Sequence, residues 1–264
     1  MVKRFVAASA AAALLAAAGC RQSIDRRPPR ARVRVAAAAD LNAAMGDLVA
    51  RFSGSHAVDV EASYGSSGTF YAQLLNEAPF DVFFSADLEY PRQLAARGLT
   101  LDGGEFQYAV GRLVVWVPNS SSVDVGRTGL KGLAAASIAH VSIANPDHAP
   151  YGRAAVAALR SAGVYDAVQS KLVFGENVAQ ALQFAQSGAA DAAVVALSLA
   201  LAPAARDRGR YAEIPLDQYP PIDQGGTILK WAADVEAARA LRAYVLSADG
   251  RAVLRQYGFF VPNE

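Results

Sequence analysis

The residues best suited to chemistry lie in SYGSSGTFYAQL (63 to 74), where a β-branched run gives way to small hydroxyl and glycine residues and then to an apolar-periodic run. A strand that feeds a helix in this way leaves the first helical amides unpaired, with the positive end of the helix dipole behind them, and that is a cradle for an anion. Ser66, Ser67 and Thr69 add hydroxyl donors, while Gly65 and Gly68 let the backbone approach closely. A plain turn with Ser or Thr capping the helix would read the same way. The segment lacks the Gly-Lys-Ser or Gly-Lys-Thr ending and the glycine spacing of a nucleotide loop, which argues against nucleotide binding.

Three more helix starts follow strand-like runs. Asp40 opens one after VRVAAAA (33 to 39), Tyr151 and Gly152 open another within NPDHAPYGRAA (145 to 155), and Val178 stands at the start of a third in GENVAQAL (175 to 182). Each alone is ordinary capping. Aimed together at one cleft, they would make an anion site with no Lys or Arg. Neutral donors grip a dianion well only when water is excluded, so closing the cleft binds the ligand and opening it releases it.

Other chemistries find little support. His56, His140 and His148 are scattered, with no Cys or second His at ligand spacing, so no metal centre or cofactor is expected. Asp81 and Asp87 flank the strand-like DVFFSA (81 to 86) and read as structural. No Gly-x-Ser-x-Gly elbow and no supported Ser, His, Asp order is present, so the chain is not read as an enzyme. An exported hydrolase of anionic esters stays as the rival from another class, with Asp40 as its one visible general base. Tyr64, Phe70, Tyr71, Phe80, Phe83 and Phe84 have the spacing of core residues.

The elements that must position these residues occupy most of the 264-residue chain, whose 53% hydrophobic and 19% charged content supplies one large or two modest cores. Residues 1–20 stand apart. Lys3 and Arg4 precede an apolar run from Phe5 to Ala18 that is too short to span a bilayer, and this reads as a secretory signal. The run ends at Gly19-Cys20, the only cysteine, so Cys20 is a candidate lipidation site, with ordinary cleavage after Ala18 as the alternative. Residues 21–32 hold five Arg and two Pro and read as a disordered tether. The remaining body has 18 basic and 23 acidic residues, a balance that argues against a nucleic-acid surface.

From Val33 onward, short β-branched runs alternate with amphipathic helical ones, the pattern of an α/β fold with mainly parallel sheets. The units are too many for one sheet, which predicts two lobes: 33–109 with 228–264, and 110–227, joined by crossings near 108–113 and 219–227. The cleft between such lobes is where strand ends and helix starts meet.

The stretches VAAAADLNAAM, SYGSSGTFYAQL with APFDVFFSAD, FQYAVGRLVVW, ANPDHAPYGRAA, GENVAQAL with GAADAAVVALS, and the closing YGFFVP resemble, in this order, the periplasmic molybdate-binding protein family of ABC importers. The resemblance covers essentially all of 33–264. It implies a periplasmic-binding-protein fold of the type II kind, with two lobes that close on molybdate or tungstate and deliver it to a permease; with the N-terminal segment, the expectation is an extracytoplasmic monomer, anchored to the membrane where Cys20 is lipidated. Position by position, it implies that Ser67, Tyr151 and the Val178 amide hold the anion, with Asp40 at a fourth ligand position. Two departures stand out: Asp40 and Ala39 occupy positions that are Ser or Asn, and in some members Thr, in the family, and Ala196 stands where one branch has a tyrosine. A carboxylate facing a dianion is repelled, so Asp40 must cap its helix, be protonated, or accept a proton from the ligand. The last option points to hydrogen phosphate; a receptor for phosphate or sulfate is therefore the alternative within the same class.

Overall fold

Arg32 and Arg34 alternate with the buried Val33 and Val35 in the first strand, β1 (Ala31–Ala38), whose last three residues are all buried alanines. The computed structural model describes residues 30–262. The signal segment, Cys20 and residues 21–29 lie outside the described residues. β1 begins two residues before the expected Val33, so Ala31 and Arg32 belong to the sheet and not to the tether: pairing with β2 starts at Ala31↔Val58. Arg30 is tied down as well, reaching Asp59 and donating to the carbonyls of Ser53 and His56.

Two five-stranded sheets follow. The first has the order β2-β1-β3-β10-β4, built from β1, β2 (Val58–Gly65), β3 (Val82–Ser85), β4 (Thr100–Gly111) and β10 (Ile222–Leu229). The second has the order β7-β6-β8-β5-β9, built from β5 (Leu113–Pro118), β6 (Val141–Ala144), β7 (Leu172–Gly175), β8 (Ala192–Ala196) and β9 (Gly209–Glu213). In each sheet one strand runs against the other four: β10 is antiparallel to both β3 and β4, and β5 to both β8 and β9. Both odd strands are the ones that arrive directly from the other lobe. Each enters its sheet from the hinge side, whereas the remaining strands are laid down through helical crossovers and run parallel to one another.

The first crossing is a single residue, Arg112, between β4 and β5. The second runs from 214 to 221, earlier than the 219–227 expected from sequence, and Ile222–Thr227 lie in the first sheet instead of the second. The error arose because Pro220 and Pro221 read as the start of the linker, while the strand begins immediately after them. Tyr219 ties the two crossings together: its hydroxyl accepts from the Leu113 amide at 3.1 Å. Arg112 and Glu213 form an ion pair across the same hinge.

Each lobe has its own core. In the first, Leu41 and, from the Asn42–Ser55 helix, Met45, Leu48 and Phe52 pack on Val33, Val35 and Phe84. In the second, Trp116, Ile143, Val194 and Leu182 lie at the centre. Ala38, Ala39 and Ala86, at the strand tips of the first lobe, pack into the core of the second, which only small side chains permit.

Candidate anion-binding site between the lobes

The tips of β1, β2 and β3 and the starts of the helices Pro150–Ser161 and Val178–Ser187 border a narrow crevice lined by Asp40, Ser66 and Ser67 from one lobe and Ala149, Tyr151, Asn177 and Val178 from the other. All four residues singled out in the sequence, Asp40, Ser67, Tyr151 and Val178, therefore border one crevice. They are almost wholly buried there.

The donors are distributed as follows. Ser67 begins the helix Ser67–Leu74, and its Oγ accepts from the Ala86 amide at 2.9 Å, which leaves its own proton free to point elsewhere. In the Val178–Ser187 helix, Asn177 caps the Ala179 and Gln180 amides at 3.0 Å, and Ala181 donates to the Asn177 carbonyl. The Val178 amide is then the helix-start donor left over. In the Pro150–Ser161 helix, Pro150 has no amide hydrogen, while Gly152 and Arg153 donate back to the Ala149 carbonyl, so the leftover amide is that of Tyr151.

The Tyr151 hydroxyl, unlike its amide, is already engaged. It donates to Asp40 Oδ2 at 3.0 Å, so that proton is committed within the protein. Asp40, only 1% exposed, does not cap its own helix through a side-chain bond; the chain passes through a 3-10 turn, Ala39–Leu41, before the α-helix. Asp40 Oδ2 accepts a second bond from Gln224 Nε2 at 2.5 Å. Gln224 is held in that orientation because its Oε1 accepts from the Tyr108 hydroxyl at 2.8 Å, and its Nε2 also donates to Tyr151. Asp40 Oδ1 has no hydrogen-bond partner. Burial pushes the Asp40 carboxyl up to about 6, against the opposing pull of Gln224, Tyr151 and the nearby Asp40 and Leu41 amides. Tyr108 and Tyr151 are pushed up by burial and by the Asp40 charge, so both stay neutral donors.

Gln224 and Tyr108 were not picked out in the sequence. Both sit on strands whose pairing across the chain, β4 with β10, a one-dimensional reading does not reveal. The one local signal was Gly111, where an added Cβ would collide with the Tyr151 hydroxyl and crowd the Gln224 amide.

The lobes also touch directly at the rim. The Gly68 amide and the Ser66 hydroxyl both donate to the His148 carbonyl, at 3.0 and 2.6 Å. Arg153 reaches back to Asp87 at 2.5 Å and to the Tyr90 hydroxyl at 3.3 Å. Asp87 thus joins the lobes, whereas Asp81 is structural: it accepts from the Arg34 amide and guanidinium and from the Ala233 amide. Of the aromatic residues, Phe70, Phe83 and Phe84 are core, and Tyr71 packs on Tyr90. A wider groove outside the rim, bordered by Asp87, Arg92, Gln107, Arg153 and Asp223, has its cations paired to carboxylates and offers a dianion no free positive group. Among the described residues, no group of three or more His, Cys, Asp or Glu could hold a metal ion, and no helix is long and apolar enough to cross a membrane.

The profile of the family described as "bacterial extracellular solute-binding protein" matches residues 33–260. The molybdate-binding protein ModA of Azotobacter vinelandii is 41% identical over 87% of this chain and 90% of its own length. That of Rhodobacter capsulatus is 35% identical over 86% and 87%. The solved periplasmic molybdate-binding protein of Azotobacter vinelandii superposes with a TM-score of 0.82 at 34% identity, covering 88% of this chain and all of the other. More distant structures, such as a sulfate-binding protein from Mycobacterium tuberculosis at 15% identity and a TM-score of 0.68, share the fold. On this sequence match and this pair of mixed sheets, the chain belongs to the periplasmic molybdate-binding proteins among the bacterial extracellular solute-binding proteins.

Proposed function

We propose that this protein is the extracytoplasmic receptor of an ABC importer, which binds molybdate or tungstate between its lobes and hands it to the permease, without catalysis and as a monomer. The observation that carries the reading is the meeting of neutral donors from both lobes at one small crevice: the Ser67 hydroxyl on one side, the Tyr151 and Val178 amides on the other. Helix starts are suited to hold a tetrahedral dianion that offers oxygens in all directions. The named function of the 41% and 35% identical relatives supports the same ligand. Export and lipid anchoring through Cys20 complete the proposal, on the strength of the charged, apolar and small-residue order of residues 1–20.

Calorimetric titration of the purified protein with molybdate, tungstate, sulfate and phosphate tests it. The expected outcome is tight one-to-one binding of the first two and much weaker binding of the others. Preference for sulfate or phosphate, or turnover of a chromogenic anionic ester, would overturn it.

A further inference from the structure

Asp40 is a carboxylate in a cavity otherwise lined by donors, and the geometry around it is asymmetric. Oδ2 is saturated by Tyr151 and Gln224, and Gln224 is locked by Tyr108 so that its amide nitrogen, not its oxygen, faces the carboxylate. Oδ1 is buried without a partner, in a residue that borders the cavity. We propose, resting on the oxyanion-receptor reading above, that each dianion is captured together with one proton, which sits on Asp40 Oδ1 and makes this group a hydrogen-bond donor to the bound anion.

The proton balance is simple. The free protein above the titration range of Asp40 has Oδ1 unprotonated; the dianion enters, one proton is taken from solvent onto Oδ1, and the O–H then points at an anion oxygen. No covalent bond to the ligand forms. Without the proton, a carboxylate and a dianion would share a cavity from which water is excluded, and no cation is there to separate them. The groups facing Asp40 bear this out. The Pro150–Ser161 helix contributes Tyr151, β4 contributes Tyr108, and β10 contributes the uncharged Gln224. The Leu197–Leu201 helix contributes Ser198, whose hydroxyl donates to the Asp40 carbonyl, and it has no titratable residue. The Val178–Ser187 helix has none either. β2 presents Tyr64, while its Asp59 and Glu61 pair with Arg30 and Arg32; Asp47, on the Asn42–Ser55 helix, accepts from Tyr257. Burial is the largest influence on the Asp40 carboxyl and, in this closed arrangement, pushes it up to about 6, which favours proton uptake.

The test is calorimetry with sodium molybdate, a fully ionised dianion in neutral solution, in buffers of differing ionisation enthalpy. At about pH 7.5, uptake close to one proton per anion is expected, with Kd rising about tenfold per pH unit above that point. Asp40→Asn, which keeps the acceptor for Tyr151 and offers an N–H in place of the O–H, should bind with no proton uptake and with a pH-independent Kd. Molybdate binding by the wild-type protein without uptake overturns the proton coupling and leaves the receptor reading intact; the absence of binding of molybdate and of tungstate overturns both. Uptake that persists in Asp40→Asn assigns the proton to another group and also overturns the proposal, as does tighter binding of phosphate than of molybdate with no uptake, since Asp40 would then be the acceptor for a proton that the ligand brings.

Discussion

Ser67→Ala separates a binding role from a structural one, because one oxygen is placed to do two things. Its lone pair receives the buried Ala86 amide at 2.9 Å, and its proton is left over for the cavity. Removing Oγ leaves that amide unpaired, which costs roughly 1–3 kcal/mol of stability. At about 2–4 °C of melting temperature per kcal/mol for a protein of this size, the ligand-free variant should melt several degrees lower. The lost donor acts on affinity instead: a hydrogen bond to a charged group contributes roughly 1.5–3 kcal/mol, which is about 10- to 150-fold in Kd. Calorimetry with molybdate and thermal melting without ligand read the two effects independently. A drop in melting temperature with Kd unchanged within about twofold would refute the reasoning, since Ser67 would then be only the tie between the helix Ser67–Leu74 and the end of β3.

The other predictions concern charge and closure. The Asp40 carboxyl is raised on folding, so its contribution to stability is complete below the unfolded carboxylate value near 4 and is lost as pH rises through about 6; urea unfolding of the ligand-free protein should show this slope, and Asp40→Asn should abolish it and gain up to about 3 kcal/mol at pH 8. Asp81 has the opposite sign: burial alone would raise it, but the Arg34 side chain and the Ala233 and Arg34 amides hold it below the ordinary range, so its stabilisation is present above about 4 and is lost as pH falls further. Asp81→Ala should cost about 3 kcal/mol in urea unfolding, the low end for a broken buried pair, because Arg34 is one-third exposed and can reach water. Gly68→Ala would push a Cβ into the His148 carbonyl and the Tyr90 hydroxyl, so calorimetry should show molybdate binding weakened tenfold or more, while the ligand-free melting temperature changes little.

How much of this was legible in the sequence depends on whether a feature is local. The helices Val178–Ser187 and Val235–Leu246 have the ends that capping and periodicity predict, because Asn177 and Asp234 cap them with side chains close in sequence. Gly98, at φ +67°, marks the stop just after the Glu89–Ala96 helix. β9 went unseen because Gly209–Glu213 is a half-exposed edge with no buried stripe for a pattern to mark. β4 is longer than its apolar part, since the pairing with β10 that defines it extends to Glu105 and, past a register shift, to Thr100, and is set by a strand more than a hundred residues later. At the site, the helix starts could be read from the sequence, whereas the Tyr108, Gln224, Tyr151 and Asp40 chain could not: its hydrogen-bonded pairs are 73 to 184 residues apart, and only the crossing geometry brings them together.

The division of labour between rim and cavity follows from exposure. Arg153 and Asp87 are 42% and 29% exposed, so their pair contributes at most about 1 kcal/mol and weakens with salt. Ser66, Gly68 and the His148 carbonyl add two hydrogen bonds at net values of roughly 1 kcal/mol each. These exposed ties add to the buried bonds of Tyr151 and Ser198 to Asp40, while the unpartnered Asp40 Oδ1 works against closure by burying a charge. In the receptor proposed above, a dianion would favour closure further, since it would satisfy the Ser67 hydroxyl and the Tyr151 and Val178 amides at once, each with a charge-assisted bond. On that proposal the closed form is the one that reports occupancy, because donors from both lobes then share the same anion.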